Sequence, residues 1–485
     1  MNATRAPAAY ETVIGLEVHV QLNTASKMFC GCAVTFGAPP NTLTCPVCLG
    51  LPGSLPVLNR QAVEFGVRTA LVLGCTIHPE SRFHRKNYYY PDIPKNYQIS
   101  QYQYTGHPPL ATAGALVLDL AGEVRRVGIR RVHLEEDTGR LVHAEGRSLV
   151  DYNRSGTPLM EVVSDPDLRS PEEARAFLTR LRAVLQYAGV TTGRMEEGTL
   201  RCDANLSLRA PGAPHGIRTE VKNMNSLRAV ERALRVEEAR QRALLERGEA
   251  VVQETRHWDE DRGITFASRE KEEAQDYRYF PEPDLLPVRV DESSVERVRA
   301  DLPELPDARR RRYIETYGLP EHDAGLLTET RPMAEFFEET VRRFPHPKTV
   351  GNWLVGDVAA YLNAAGLEIE QAQIGPGALA ELLALIERGT LSGRSAKEVL
   401  EEMLRTGRAA DEIVRDRGLV QISDEAEIVR LVDAAIADNP GPVGDVRAGK
   451  DRAVAFLVGQ VMKKTRGRAN PEMVNRLLRE RIGAG

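Results

Sequence analysis

The chain has 485 residues, 42% of them hydrophobic and 27% charged, which is ordinary for a soluble protein of several domains. Its formal net charge of −5 excludes a global positive field, so any nucleic-acid-binding surface must be local. No apolar run approaches the roughly 18 residues of a membrane span, and residues 1–10 lack a signal-peptide core, so a cytoplasmic protein is expected.

The first part of the chain, to about residue 290, combines short β-type runs with Gly/Pro turns. Residues 10–22 alternate between apolar side chains and small or polar ones that include Glu17 and His19, which predicts a strand with one polar face. Further strands are predicted at 115–120, 124–134, 158–164, 201–209 and 218–223.

Two predicted helices interrupt these strands. The first begins at Ser170, where Ser-Pro-Glu-Glu forms a capping box with proline at the first helical position, and it ends at Gly189. The second runs from about Ser226 to Gly248, and its many charges predict a solvated outer helix. Together these elements predict a mainly antiparallel α+β domain.

Composition changes near residues 291–306, and helical periodicity dominates beyond them. Helices are predicted at 378–387 and 395–404, the second starting at Ser395 in a Ser-x-x-Glu box, with glycines as punctuation at Gly389, Gly407 and Gly418. Three domains are therefore expected, at 1–294, 295–408 and 409–485, the last two all-helical.

Four of the six cysteines form two close pairs, Cys30 with Cys32 and Cys45 with Cys48. Two tight pairs joined by a short loop suit tetrahedral zinc, and four sulfur ligands indicate a structural rather than a catalytic ion. The alternative is four reduced thiols in loops. The other two cysteines have no partner by spacing and are expected to be buried.

Several acidic residues fall in or beside predicted strands together with one histidine. They are Glu17, His19, Glu135, Glu136, Asp137 and Glu161. Carboxylates gathered around an imidazole would bind Mg²⁺ and, through it, nucleotide phosphates. The alternative is an ordinary polar sheet face, and sequence cannot show that the three strands meet.

Residues 85–98 mix basic, aromatic and amide side chains, among them Lys86, with two prolines that prevent regular structure. Such a rigid loop can line a site for phosphate or a nucleotide base, or it can be a packed tyrosine loop. Asp203 with Asn205, and Glu220 with Lys222, each share one strand face, where they could equally be solvated.

Residues 444–450 fit the G-x-x-x-x-G-K spacing of a phosphate-binding loop, but Asp451 replaces the required hydroxyl residue. A predicted helix precedes the segment where the motif needs a strand. We therefore interpret it as a linker between helices.

The C-terminal residues 447–485 contain ten Lys/Arg against three Asp/Glu. A basic group lies around a turn between two helical patterns and comprises Lys463, Lys464, Arg466 and Arg468. Phosphate backbones attract such groups by Coulomb interaction and counterion release, although a solvated helix end has the same composition.

Several segments together resemble the B subunits of tRNA-dependent amidotransferases. They are YETVIGLEVH at 10–19, RKNYYYPD at 85–92, HLEED at 133–137, MEEG at 195–198, RCDAN at 201–205, DYRYFPEPD at 276–284 and FLVGQVMK at 456–463. The resemblance extends from Tyr10 to the C-terminal helix, and it is far more specific than any spacing argument.

This resemblance implies an ATP-dependent ligase. In the family, the B subunit phosphorylates the side-chain carboxylate of a glutamate or aspartate esterified to tRNA(Gln) or tRNA(Asn). Ammonia, released from glutamine by an amidase A subunit, then displaces phosphate to leave the amide. A small C subunit completes a heterotrimer. The implied fold is a cradle-like catalytic domain, a helical domain and a small tail domain, of which the last two grip tRNA.

The resemblance also assigns expected roles to residues of this chain. The catalytic set is Glu17, His19, Glu136 and Lys86; the Mg²⁺ ligands are Glu17, His19, Glu136 and Glu161, with Glu135 beside them; the ATP contacts are Lys86, Asp203, Asn205 and Lys222; the structural Zn²⁺ ligands are Cys30, Cys32, Cys45 and Cys48; and the tRNA contacts are Lys463, Lys464, Arg466 and Arg468.

An alternative of another class is a non-catalytic, zinc-bearing tRNA-binding adaptor that delivers substrate to an amidase. It accounts for the cysteines and the basic tail but leaves the acidic residues without a purpose. A free-standing amidase is disfavoured, because the sequence has neither a nucleophile elbow nor a Ser-Ser-Lys-type arrangement.

Overall fold

The computed structural model describes residues 10–102, 106–120, 122–144, 146–267, 277–419, 425–447, 450–465 and 469–483. The chain packs as two units, Met1–Leu305 and Pro306–Gly485. Among the described helices, none combines the length and the apolar character needed to cross a bilayer.

The first unit is built on a large sheet flanked by helices. Its strands are β1 (Glu11–Gln21), β2 (Thr76–Ile77), β3 (Glu80–Ser81), β4 (Phe83–Asn87), β5 (Tyr97–Gln101), β6 (Ala111–Leu120), β7 (Glu123–Glu136), β8 (Arg140–Ala144), β9 (Arg147–Asp151), β10 (Pro158–Ser164), β11 (Leu200–Arg209), β12 (Thr219–Lys222), β13 (Glu254–Asp259), β14 (Ile264–Ala267), β15 (Phe280–Pro281) and β16 (Val288–Arg289). Its helices are α1 (Arg60–Val72), α2 (Pro171–Tyr187), α3 (Leu227–Glu246) and α4 (Glu292–Ala300).

The main sheet runs in the order β14-β13-β12-β11-β1-β10-β7-β5-β4-β15, with β6 alongside β7. Strand β1 is central and pairs antiparallel with β10 on one side and β11 on the other. Among the described strands only the β12–β13 pair is parallel. The expected α+β class, with a mainly antiparallel sheet followed by helices, is confirmed.

One face of this sheet is apolar and covered by helices. On β1 the side chains of Ile14, Leu16, Val18 and Val20 are fully buried, which is the predicted alternation. Helix α1 packs against β7, α2 against β6 and α3 against β11, so the helices lie on the apolar side. The opposite, polar face of the central strands is therefore left for other contacts.

Helix α2 begins as predicted, because Ser170 Oγ accepts a hydrogen bond from the Glu173 backbone N–H at 3.2 Å. Helix α3 is also found within its predicted range, and Ser226 caps it. The expectation that α3 is a solvated helix is wrong for one face, where the polar side chains Glu237 and Gln241 are completely buried.

Strand β7 contains a β-bulge at Arg130. Arg131 lies opposite Val163 of β10, but Ser164 lies opposite Ile129, so Arg130 is an extra residue on β7. Before the bulge the buried apolar residues are Val127 and Ile129, at odd positions, and after it they are at even positions. The bulge therefore reverses which positions of β7 face the helices.

The second unit is helical. Its helices are α5 (Pro306–Tyr317), α6 (Glu321–Leu327), α7 (Arg331–Arg343), α8 (Pro347–Trp353), α9 (Ala359–Ala365), α10 (Pro376–Glu387), α11 (Gly393–Thr406), α12 (Ala410–Arg417), α13 (Glu425–Asp438), α14 (Pro440–Arg447), α15 (Asp451–Lys464) and α16 (Pro471–Ile482). The predicted start of α11 at Ser395 is wrong: the helix begins at Gly393, because Ser392 caps it by accepting the Ser395 backbone N–H.

Helices α13 to α16 share a hydrophobic core that includes Ile428, Leu457 and Leu478. Helix α12 instead packs against α10 and α11. Gly418 ends α12 in a left-handed conformation, with φ of 61°. We therefore propose a separate tail subdomain that begins after Gly418. The divisions expected after residues 294 and 408 stay predictions.

The apparent phosphate-binding loop lies between helices. Gly444 falls within α14, Lys450 precedes α15, and α13 comes before α14. Residues 448–449 lie outside the described residues. Helices and not a strand lead into the segment, so the phosphate-binding motif lacks the strand that it needs. The interpretation as a linker is wrong for residues 444–447, which belong to α14 itself.

Candidate active site

The polar face of the central sheet gathers residues from three neighbouring strands. His19 of β1 lies directly opposite Glu161 of β10, and Glu161 lies opposite His133 of β7. Residues in register on adjacent antiparallel strands have Cβ atoms about 5 Å apart and project to the same face. The strand order β1-β10-β7 thus aligns the three side chains in one row across the sheet.

Glu135, two residues beyond His133 on β7, completes a compact group. The Nε2 atom of His19 is 3.5 Å from Glu161 Oε2 and 3.6 Å from Glu135 Oε1. One ligand atom from each of these three residues lies within 4.8 Å of the other two. Arg131 Nη2 donates to Glu161 Oε1 at 3.0 Å. Two carboxylates and an imidazole at this separation fit a hard divalent cation such as Mg²⁺.

The pKa values of His19 and of its neighbour His133 are shifted in opposite directions. Burial alone lowers the pKa of His19, but the hydrogen bond to Glu161 and the charges of Glu161, Glu135 and Asp203 outweigh it and raise the pKa to about 9. Burial dominates for His133 and lowers its pKa despite the same carboxylates. At neutral pH, therefore, His133 is the neutral imidazole of the pair.

Glu161 holds its negative charge in spite of its burial. Burial favours the neutral acid, but electrostatic interactions with His133, His19 and Arg131, together with the hydrogen bond from His19, lower the pKa of Glu161 well below its ordinary value. Glu161 is thus a permanent anion at the centre of the row.

Glu17 lies on the same face but in a second row. It is opposite Asp203 of β11, and its Oε1 atom accepts a hydrogen bond from Asn205 Nδ2 at 3.2 Å. Burial and the charges of Glu161 and Glu220 raise the pKa of Glu17. The structure brings Glu17 near the group of His19, Glu135 and Glu161 without placing it among them.

Lys222 of β12 lies at the outer end of this second row. Its Nζ atom is 3.2 Å from Asp203 Oδ2 and 3.3 Å from Glu220 Oε1. Although burial lowers the pKa of a lysine, these two carboxylates raise that of Lys222 above its ordinary value. Asp203, Asn205, Lys222 and Glu17 are thus contiguous across β12, β11 and β1.

A cavity of about 510 Å³ borders this second row. Its lining includes Glu17 and Asn205 of the second row together with the cations Arg130 and Arg218. The volume falls within the roughly 300–1,000 Å³ typical of small-molecule pockets, and the basic lining suits an anionic ligand.

Lys86 lies farther along the sheet. The expected lack of regular structure over residues 85–98 is wrong at both ends, because residues 85–87 belong to β4 and residues 97–98 to β5, where the two strands pair. Lys86 is on β4, four strand spacings from β1 and so about 19 Å away. Its Nζ atom is 4.8 Å from the centre of the Tyr277 ring and 5.6 Å from that of Tyr88. Burial raises the pKa of Tyr88, as do the charges of Asp92 and Glu135. Strand β5 separates β4 from β7, so Lys86 is two strand spacings from the strand that carries Glu135.

Glu136 does not join the other carboxylates. Consecutive residues of a strand project to opposite faces, so Glu136 points away from the group that contains Glu135. Its Oε1 atom accepts hydrogen bonds from Lys95 Nζ and, at 3.0 Å, from the Ile99 backbone N–H. Glu136 and Lys95 line a second cavity of about 180 Å³ together with Cys30 and Cys48.

The four cysteines expected to bind zinc do converge. The Sγ atoms of Cys30, Cys32, Cys45 and Cys48 all lie within 4.8 Å of one another. Sulfur atoms around a tetrahedral zinc ion at 2.3 Å would be about 3.8 Å apart, so the donor set fits that ion. A hydrogen bond from the Cys30 thiol and the backbone N–H of Cys45 lower the pKa of Cys48, which favours its thiolate.

The remaining two cysteines differ in burial. Cys202 is buried on β11, as expected, whereas Cys75 is only partly buried against the core.

In the tail, Lys463 and Lys464 are exposed at the end of α15, and Lys464 Nζ is 2.5 Å from Asp438 Oδ2. Arg466 and Arg468 lie outside the described residues.

Sequence reasoning did not single out His133, Arg131 or Arg201 as site residues. Arg201 lies opposite His19 on β11, and its Nη2 atom donates to Asp137 Oδ1 at 3.0 Å. The sequence did contain a clue, because His133 and Glu135 are two residues apart on one strand, as are Arg201 and Asp203, and such residues project to the same face. Only the pairing of β10 with β1 and β7 shows that these residues lie beside His19.

Comparison with known proteins identifies this arrangement. Residues 12–296 match the family model described as the GatB/GatE catalytic domain, and residues 335–482 match the GatB domain. The sheet that carries the polar rows is thus a catalytic domain of the GatB/GatE class, followed by a helical domain of GatB type.

Similarity to curated proteins extends over nearly the whole chain. A protein of Moorella thermoacetica, named as the B subunit of an aspartyl/glutamyl-tRNA(Asn/Gln) amidotransferase, is 58% identical over 98% of this chain and 100% of its own length. Proteins of the same name from Carboxydothermus hydrogenoformans and Brevibacillus brevis are 53% and 52% identical, over 98% and 97% of this chain and 99% and 98% of theirs. The chain belongs to the family of aspartyl/glutamyl-tRNA amidotransferase B subunits, which confirms the resemblance.

Proposed function

We propose that this chain is the ATP-using, tRNA-handling subunit of a ligase that converts Glu-tRNA(Gln), Asp-tRNA(Asn) or both to the corresponding amides. The observation that carries the proposal is the grouping of His19, Glu135 and Glu161 on one sheet face beside a basic cavity, in a member of this family. An adaptor would have no need of such a group.

The proposed reaction has two steps. A side-chain carboxylate oxygen of the esterified glutamate or aspartate attacks the γ-phosphorus of ATP, and ADP leaves. Ammonia then attacks the carbon of the acyl phosphate, phosphate leaves, and the nitrogen loses a proton to give the amide. A free carboxylate is a poor acyl donor, so the first step supplies the leaving group. Catalysis of such a transfer rests mainly on positioning and electrostatics.

We propose that Glu135 and Glu161 hold Mg²⁺, that His19 joins them as a ligand when the ion displaces its proton, and that Glu17 lies at the edge of the same site. The ion would screen the negative charge of the phosphates and of the substrate carboxylate. Glu161 supports this role because it remains an anion when buried, and Arg131 orients it through a 3.0 Å hydrogen bond. The predicted participation of Glu136 as a ligand has no comparable geometric support, because its carboxylate pairs with Lys95.

ATP is proposed to bind along the second row. Asn205 lines the adjoining cavity, and Lys222 and Asp203 lie next to it on the same face. Arg130 and Arg218 add positive charge to the cavity wall. Lys86 is about 19 Å from β1. We therefore propose that it contacts a substrate group near Glu135 and not the phosphates of ATP.

The partners follow from the proposed chemistry. Ammonia requires a glutaminase, for which we propose an amidase A subunit held by a small C subunit in a heterotrimer. The exposed Lys463 and Lys464 support a tRNA-binding role for the tail. Zinc at the four cysteines is proposed as a structural ion, since sulfur fills every position. A cytoplasmic location stays a prediction.

Replacement of one carboxylate tests the proposal. In the assembled complex, Glu161→Gln should reduce ATP-dependent amide formation on mischarged tRNA by about 100-fold or more, because it removes a charge aimed at the reacting phosphates. Glutamine hydrolysis should persist. Glu11→Gln, at the far end of β1 where its carboxylate pairs with Arg209, is the matched control. Normal amide formation by Glu161→Gln would instead support the adaptor.

A further inference from the structure

Lys27 is a buried lysine beside the four cysteines. Its side chain is among the largest that are fully buried, with 1% of its surface exposed. The Nζ atom is 3.7 Å from Cys48 Sγ and 3.2 Å from the Tyr152 carbonyl oxygen. In the described part of the chain these two atoms are its hydrogen-bond acceptors, and no carboxylate oxygen lies within 4 Å of it.

A buried ammonium normally needs a nearby anion. Removing an ion from water has an effective cost of several kcal/mol unless opposite charge and hydrogen bonds offset it. The other buried lysine of this region, Lys95, follows the rule by pairing with Glu136. Of the two groups that Lys27 contacts, the Cys48 sulfur is the one that can carry a balancing negative charge.

The charge of the proposed metal centre matches this requirement. Four thiolates around a divalent ion carry a net charge of −2. Cys48, the cysteine that Lys27 contacts, is the buried member of the four, and the other three are partly exposed. One ammonium in contact with a ligand sulfur reduces that charge to −1. The backbone of the same residue also supports the centre, because the Lys27 N–H donates to the Cys32 carbonyl at 2.9 Å.

We propose that Lys27 is the counter-cation of the four-cysteine metal centre and stabilises the metal-bound thiolate of Cys48. Its second hydrogen bond, to Tyr152, ties the centre to the turn before β10, the strand that carries Glu161. Lys27 acts through Cys48 and is therefore a positioning residue. The inference rests on the proposed metal at the cysteines and goes beyond it.

Zinc affinity of the full-length chain provides the test. Lys27→Met keeps the length of the side chain but removes the charge, and it should weaken zinc binding by about 10- to 100-fold in competition with a chromogenic chelator. Alkylation of the cysteines by N-ethylmaleimide should be faster for the same reason. Lys27→Arg should retain most of the affinity.

Lys95→Met is the matched control, because Lys95 is also buried near the cysteines but its ammonium pairs with a carboxylate. It should leave zinc affinity unchanged. Equal zinc affinity and equal alkylation rates for Lys27→Met and the parent chain would overturn the inference. A parent chain that binds no zinc would instead overturn the proposed metal site.

A second comparison distinguishes the loss of charge in Lys27→Met from a simple loss of folded protein. In a Cys32→His background the zinc complex carries one negative charge fewer, while the contact of Lys27 with Cys48 remains. If Lys27 acts by charge, Lys27→Met should cost less affinity and less folded yield in that background. Equal losses in both backgrounds would contradict the proposal.

Discussion

Glu135 and Glu136 show how far single residues could be assigned from the sequence. The alternation of residues 10–22 correctly predicted that Glu17 and His19 share a face. The predicted strand at 124–134 ended just before Glu135 and Glu136, so either carboxylate could have joined them. Strand β7 in fact continues through Glu136, so alternation sends the two carboxylates to opposite faces. The end of a strand is decided by pairing with β10, which no local pattern reports.

Lys222 offers a test at the same scale. Lys222→Met removes the cation next to Asp203, and with it a charge-assisted contact worth about 1.5 kcal/mol or more to a bound phosphate. We expect the KM for ATP to rise by about tenfold in the amide-forming assay. Lys397→Met, at an exposed position of α11 in the second unit, is the control. An unchanged KM for ATP would remove Lys222 from the proposed nucleotide site.

The elements of the first unit were predicted unevenly. The edge-to-edge order of the sheet, in which β1 lies between β10 and β11, depends on contacts between distant parts of the chain and could not be predicted. Helix α1 was also missed. Gly66 interrupts its helical pattern, but Gly66 is where Leu110 approaches the helix backbone, and a Cβ there would lie 2.4 Å from a Leu110 methyl carbon. Close packing therefore explains a residue that local propensity disfavours.

Helix α3 depends on a buried charge that the sequence alone suggested was solvated. The Glu237 carboxylate accepts hydrogen bonds from Arg240 and Gln241 on its own helix and from Thr265 on β14. Burial alone would raise the pKa of Glu237, but the hydrogen bonds and the charges of Arg240 and Arg256 lower it below 4.5. The anion thus joins the helix to the edge of the sheet.

Glu237→Gln should therefore destabilise the first unit by about 3 kcal/mol near neutral pH, because it removes the buried anion that Arg240 and Arg256 share and leaves them Glu254 alone. A lowered carboxylate pKa gives stability that is present above pH 4.5 and lost as the pH falls through the folded-state value. The difference between parent and variant, measured by denaturant unfolding, should accordingly shrink below about pH 4.5. Glu246→Gln, exposed at the end of α3, is the control, and a difference that does not depend on pH would contradict this account.

Over the whole molecule, the sequence correctly predicted a sheet-rich first part followed by helices. The change in composition near residues 291–306 lies close to the packing division after Leu305. The subdivision of the helical part was harder to predict, because α11 and α12 are separated by Gly407 just as independent helices would be, and only packing assigns α12 to α10 and α11.

The tail gives a prediction at this scale. Neutralising Lys463 and Lys464 together by alanine should weaken tRNA binding and reduce the slope of log affinity against log salt by about 2, since each lysine that contacts a phosphate releases about one counterion. ATP affinity should not change. Lys397→Ala controls for the loss of a surface lysine elsewhere in the second unit. Identical salt slopes would show that the tail lysines do not contact tRNA.

The β-bulge at Arg130 makes this part of β7 intolerant of insertions and deletions. The apolar residues Val127 and Ile129 precede Arg130, and the polar residues His133 and Glu135 follow it. All four have odd numbers, but the two pairs project to opposite faces of the sheet because of the extra residue. Deletion of one residue at this point would move either the apolar pair or the polar pair to the opposite face of the sheet. The apolar side chains would then be exposed to water, or the acidic group would be buried against the helices. Point substitutions can be absorbed here far more readily than any insertion or deletion of a single codon.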